Sequence, residues 1–221
     1  MPEGPPINVS TVQFEREILR LAKAHDISLN QKQLYELDRH RELLETWSRR
    51  MNLTAIRGMA EVARRHFLEG LLAGKLILKH GASGPMVDLG SGNGFPGVPM
   101  GVVCRDARPL VLVDSSQKKA AFLRALGRGL GWENVRVEVR RVDSHEQLMD
   151  LPCRVFTSRG VVITELIRAG LPFLESGGFG LFFRASRSFE EEVGHLPKGL
   201  ILEEELQLPE RREGIIILRK I

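Results

Sequence analysis

A chain of 221 residues, 43% hydrophobic and 27% charged, is long enough for one domain with a full core, and its balance argues against long disorder. Two cysteines are too few for a disulfide framework, and no apolar run reaches the ~20 residues of a membrane span. The net charge of +4 is a mild basic bias, compatible with nucleic acid without requiring it. The opening segment MPEGPPINVS has neither the basic nor the apolar stretch of a secretory leader, so the cytoplasm is the expected compartment. The histidines show no ligand-like spacing, and no metal is expected.

Apolar periodicity predicts amphipathic helices over 12–25 and 30–47, with Leu34, Leu37, Leu44 and Trp47 on one stripe of the second. The segment 51–58, MNLTAIRG, breaks the pattern, and a third helix is expected over 59–79, ending at Gly81. From Pro85 the rhythm changes to strand–helix alternation. Strands are predicted at 86–90, 109–114, 134–139, 153–158, 178–184, 200–208 and 214–220, and helices at about 98–104, 117–130, 144–148, 164–171 and 189–195. Such alternation predicts a doubly wound α/β fold, with a mostly parallel seven-stranded, Rossmann-like sheet behind an N-terminal helical extension. Only a short PERRE turn separates the last two runs, so they should form an antiparallel hairpin at the sheet edge. The expected division is an extension over 1–82 and a core domain over 83–221.

The sharpest local signal is the run from Val87 to Gly97, VDLGSGNGFPG, which follows a buried strand and opens a helix. Its glycines permit a sharp turn and close approach to a ligand, and the helix N–H groups point at whatever binds there. Gly92, Gly94 and Gly97 satisfy G-x-G-x-x-G with Asp114 some twenty residues on, which formally allows a dinucleotide. Asp88 tips the choice, because a carboxylate there suits the ammonium of a methionine moiety and would repel a pyrophosphate. That favours the methyltransferase variant of the fold, with S-adenosyl-L-methionine as cofactor. Asp114, ending the second strand, can accept from both ribose hydroxyls or cap the helix near Gln117. Asp143, after the third strand, can take an adenine amino group and can equally cap the next helix. Between Gln117 and Arg141 seven Lys/Arg face two acids, ordinarily a solvated face that gains meaning only beside an active site.

WSRRMNLTAIRG (47–58), RHFLEGL (65–71), VDLGSGNGFPGVPM (87–100), LVDSSQKKAAFL (112–123), ENVRVEVRRVD (133–143), FTSRG (156–160) and the closing IIILRK resemble the ribosomal RNA small-subunit methyltransferase G family, formerly glucose-inhibited division protein B. The resemblance runs along nearly the whole chain. It implies a class I S-adenosylmethionine-dependent enzyme that methylates N7 of a guanine in 16S ribosomal RNA. N7 carries a lone pair and no proton, so no general base is needed. Carried over by residue, Asp88, Gly90, Ser91, Gly92, Gly94 and Phe95 would hold the cofactor, with Asp114 at its ribose and Val142 and Asp143 at its adenine. Arg141 and Arg159 would line the pocket as catalytic residues, Arg159 touching the cofactor too, with His66 beside them. Asn52, Arg57, Lys118, Lys119 and Arg184 would meet the RNA. Phe95 offers a ring for stacking on a flipped guanine, although an aromatic at a helix start usually packs in a core. The family's histidine-x-leucine-aspartate-serine reads His66-Phe67-Leu68-Glu69-Gly70 here, its serine-arginine-alanine reads Ser158-Arg159-Gly160, and its lysine-glycine reads Arg184-Ala185. The glutamate after its third strand is Asp143 here. The implied partner is small-subunit rRNA or the ribosomal subunit, approached by a monomer. Other readings are a related methyltransferase with another substrate, or a non-catalytic RNA- or ribosome-binding protein on the same fold.

Overall fold

The computed structural model describes residues 9–51, 53–56, 58–104, 109–141, 153–160, 163–170, 172–184, 196–208 and 213–221. Helices α1 (Val9–Ala24) and α2 (Gln31–Ser48) come first. A capping box fixes the start of α2: the Asn30 side chain accepts from the Gln33 N–H at 2.9 Å and Gln33 Oε1 accepts from the Asn30 N–H at 2.9 Å. The helix predicted over 59–79 is composite, running through α3 (Met59–Val62), a π-helical turn (Ala63–Leu68) and α4 (Glu69–Lys79).

Strands β1 (Met86–Leu89), β2 (Leu110–Asp114), β3 (Val135–Val139), β4 (Cys153–Arg159), β5 (Leu174–Arg184), β6 (Leu200–Gln207) and β7 (Gly214–Lys220) build one sheet in the order β3-β2-β1-β4-β5-β7-β6. Helices α5 (Gly97–Val103), α6 (Gln117–Leu130) and α7 (Ile163–Gly170) lie between strands. The expected doubly wound α/β sheet with its helical extension is present. β1 to β5 pair in parallel, and β7 runs antiparallel to both β5 and β6. The predicted hairpin is there, with β7 inserted and β6 at the edge. Burial explains that choice: Gly214 to Leu218 are buried and want neighbours on both sides, whereas β6 alternates and presents glutamates, as an edge strand should. β5 begins earlier than predicted, with an irregularity in its pairing between Cys153 and Val155.

Both sheet faces are dry, as parallel strands require. On one face Met86, Leu110, Leu112 and Val155 join a core with Phe14, Leu37, Phe67 and Phe122 from the helices. On the other, Val87, Val111, Val113 and Phe156 pack with Ile167 and Phe173. The N-terminal helices therefore share a core with the sheet. Among the described residues no helix is long and apolar enough to cross a membrane. The expected helices at 144–148 and 189–195 lie outside the described residues.

Candidate active site

The carboxyl ends of β1 and β2 are laced together by the glycine loop. Ser91 N–H donates to the Val113 carbonyl at 2.9 Å, and the Ser91 hydroxyl donates to the Asp88 carbonyl at 2.7 Å while accepting from the Val113 N–H at 3.1 Å. This fully buried serine thus fastens two strands, its hydroxyl already occupied. Asp88 is fully buried; its Oδ2 accepts from the Gly97 N–H at 3.0 Å, and its Oδ1 has no partner among the described residues. Burial pushes the Asp88 carboxyl up to about 7, against the pull of the Gly97 N–H. A Cβ on Gly97 would lie 2.6 Å from Asp88 Oδ2, so only glycine lets the helix start this close to the acid. Asp114 accepts from the Gly92 N–H at 2.9 Å and the Ser116 N–H at 2.8 Å, and Lys119 Nζ stands 3.8 Å away. The helix cap falls to Ser116, whose hydroxyl accepts from Lys119 N–H at 3.4 Å. A buried carboxylate with one open oxygen next to a second carboxylate can hold an ammonium and a diol.

Behind the loop lies an aromatic stack. His40 and His66 cover the two faces of Phe95, with ring centroids 4.3 and 4.6 Å away and planes 17° and 11° apart. Phe67 closes its edge at 4.9 Å. The idea of Phe95 as a platform for a flipped guanine is corrected accordingly: both faces carry imidazoles and the ring is buried. His40 Nε2–H donates to the Asn93 carbonyl at 2.8 Å, and Asn93 Nδ2–H donates to the Leu53 carbonyl at 3.1 Å, so α2 and the segment beyond it grip the loop. Burial depresses the His40 imidazole to about 4, which keeps it neutral.

The π-helical turn delivers His66 and the backbone around Arg159. One guanidinium nitrogen of Arg159 donates to the Arg65 carbonyl at 2.7 Å and pairs with Glu69 at 3.0 Å; the other donates to His66 Nδ1 at 2.6 Å. With Nδ1 accepting, Nε2 carries the proton and donates to Thr54 Oγ1 at 2.9 Å. Burial and then the Arg159 charge push the His66 imidazole down to about 3. Locked at both nitrogens, His66 orients Arg159 and is no proton shuttle. π-turns of this kind recur at functional sites because the extra residue re-aims side chains.

The geometry brings Asp88, Gly90, Ser91, Gly92, Gly94, Phe95, Asp114, Arg159 and His66 to one edge of the sheet. Lys118 and Lys119 open α6 beside Asp114, Lys118 exposed; Arg141 is exposed just past β3. The Arg184 backbone ends β5, level with Gly214. Asn52, Arg57, Val142 and Asp143 lie outside the described residues. Sequence reasoning missed His40, Thr54 and the pairing role of Glu69. His40 sits between Leu37 and Leu44 on the stripe of α2, a polar residue on an apolar face that flagged a buried hydrogen bond.

The family model described as rRNA small subunit methyltransferase G matches residues 33–212. A ribosomal RNA small subunit methyltransferase G from Xylella fastidiosa (strain M23) is 34% identical over 222 residues, covering 97% of this chain and 96% of its own length. The protein so named from Roseiflexus castenholzii is 33% identical over 185 residues, covering 80% of this chain and 76% of its own. Among solved structures, an O-methyltransferase from Bacillus cereus in complex with SAH shares the fold at TM-score 0.65 and 14% identity, covering 96% of this chain and 100% of that one. Aeropyrum pernix fibrillarin with natively bound S-adenosyl-L-methionine follows at 0.56 and 18%, covering 68% and 73%. With a family model matched over most of its length and a relative similar from end to end, this chain belongs to the rRNA small subunit methyltransferase G family.

Proposed function

We propose that this chain transfers the methyl group of S-adenosyl-L-methionine to N7 of a guanine in small-subunit rRNA, acting as a monomer in the cytoplasm. The observation that carries the cofactor assignment is Asp88 Oδ1, a buried carboxylate oxygen with no partner among the described residues, at the strand end where ligands of such sheets bind. The donor set fits. Asp88 meets the methionine ammonium, Gly90, Gly92 and Gly94 let the backbone close on the ligand, and Asp114 has lone pairs left for ribose hydroxyls after accepting two N–H groups. Val142 and Asp143, next in sequence after β3 and Arg140-Arg141, are the residues assigned to adenine.

S-adenosylmethionine supplies an electrophilic methyl on a sulfonium. Attack by N7 releases no proton, so the chain's task is alignment, exclusion of water and tolerance of the positive charge that develops on the base. Two features suit the last requirement: His66 is held neutral, and the Arg159 charge is matched by Glu69. A family of rRNA methyltransferases and relatives bearing that name support RNA as the substrate. Lys118, Lys119, Arg141, Arg184, Asn52 and Arg57 are the residues for its backbone, contributed by both the helical extension over 1–82 and the methyltransferase domain over 83–221.

Calorimetric titration of S-adenosylmethionine tests the reading, followed by transfer of labelled methyl to small-subunit rRNA. Tight binding abolished by Asp88→Ala and by Asp114→Ala, with label released as 7-methylguanine, is the expected result. No binding by the unmodified protein, with or without RNA, would sink it.

A further inference from the structure

Past the cofactor loop, the carboxyl ends of β4 and β5 and the start of β7 surround a cleft of about 310 Å3. Its walls include Arg65, Glu69, Arg159, Phe183, Leu208 and Glu213. Sheet register places it: Arg159 pairs with Phe183, Arg184 with Gly214, and Leu89 of β1 with Ser158 just before Arg159. The cleft therefore opens one strand away from Asp88, where the methyl would be presented. Its volume accommodates one purine base. Leu208 and the Phe183 ring provide apolar wall, and an aromatic or apolar wall is what a flipped base stacks against. In this lining, Glu213 Oε1 and Arg65 stand 3.9 Å apart. Glu213 is not left to swing on a free loop: its carbonyl accepts from the Leu208 N–H and from Gln207 Nε2, each at 2.9 Å.

Guanine presents, along its Watson–Crick edge, two adjacent donors (N2–H and N1–H) followed by an acceptor, O6, with N7 beyond it. A carboxylate beside a guanidinium is the complementary order, one group accepting twice and the next donating. Adenine offers an acceptor at N1 and donors at N6, so it would set lone pairs against the carboxylate and N–H against the guanidinium. Held by its N1/N2 edge, the base carries its five-membered ring, with N7 and the ribose-bearing N9, on the side away from Glu213 and Arg65.

We propose that this cleft is a guanine-reading pocket in which Glu213 accepts from N1–H and N2–H, Arg65 donates to O6, and Phe183 packs on the base. The proposal rests on the methyltransferase reading above and adds to it the residues that select the base. The test compares wild type, Glu213→Ala and Glu213→Gln on small-subunit rRNA carrying either guanine or inosine at the position the wild type methylates. Inosine keeps N7, O6 and N1–H and lacks only the 2-amino group. Losing a hydrogen bond to a charged acceptor costs roughly tenfold to a hundredfold in kcat/KM, so wild type should favour guanine by that factor. Both variants should lose most of that preference while binding S-adenosylmethionine as wild type does. A merely structural role for Glu213 would lower both rates together and leave the ratio alone. Equal use of inosine and guanine by wild type, or an unchanged ratio in the variants, overturns the pocket and leaves the methyltransferase reading intact. Cofactor binding with no guanine methylated at all overturns the reading beneath it.

Discussion

Asp88 meets two opposed demands. Folding must bury a carboxyl that prefers water, and ligand binding needs that carboxyl ionised. Its ordinary value of 3.8 is raised to about 7, so the folded chain holds this proton more tightly than the unfolded one, and Asp88 works against folding as pH rises from about 4 through 7. A cationic ammonium favours the ionised form, so affinity for S-adenosylmethionine should fall about tenfold per pH unit below pH 7. Calorimetry between pH 5.5 and 8 would show this slope. Asp88→Asn should bind weakly at every pH without it, and should unfold at higher denaturant than wild type at pH 8. A flat profile in the wild type would mean that the ammonium is held elsewhere.

At the scale of elements, the joint between the π-helical turn and β4 is a single side chain reaching three acceptors. Arg159 bonds residues more than ninety positions upstream, Arg65 and His66, besides pairing with Glu69. A lysine cannot reproduce that fork, so Arg159→Lys should cost about 1–3 kcal/mol of stability in denaturant titration and lower activity further. Full stability in that variant would mean that the joint contributes packing alone. The central strands were legible in the amino acids because β1 and β2 are short apolar runs buried on both faces, and Asp88 and Asp114 stood out as charges at the ends of those runs. The π-turn was not legible: Met59 to Lys79 keeps an apolar stripe through it, and one extra residue per turn barely disturbs the pattern. Nor could periodicity show Phe95 between two histidines, since the partners come from α2 and the π-turn. The insertion of β7 ahead of β6 was hidden too, although burial on both sides of Ile215 to Leu218 accounts for it.

Over the whole molecule, the buried histidines set a pH limit. His40 and His66 ordinarily titrate at 6.5 and are depressed to about 4 and about 3. A depressed folded value means the unfolded chain takes up protons first, so their contribution is complete above pH 6.5 and is lost as pH falls from there toward 4 and 3. Between pH 6.5 and 5 the two histidines together approach two protons of acid loss, Asp88 offsets about one of them, and urea unfolding should show stability falling with a net slope near one proton, which His40→Phe should bring close to zero. A slope unaltered by His40→Phe would contradict the burial of a neutral imidazole there. The same histidines flank Phe95, so acid that loosens the core also loosens the wall behind the cofactor loop.

The grip of α2 on that loop has a consequence for how the fold can be cut and shared. Gln33 donates to the Val102 carbonyl at 3.0 Å, His40 to Asn93, and Asn93 to Leu53. The sheet with its glycine turn is consequently no portable cassette. Transplanted without its leading helices, it would carry a turn whose carbonyl and side-chain amide have lost their partners and whose phenylalanine faces water. In this lineage the helical roof and the cofactor turn are heritable only as a pair.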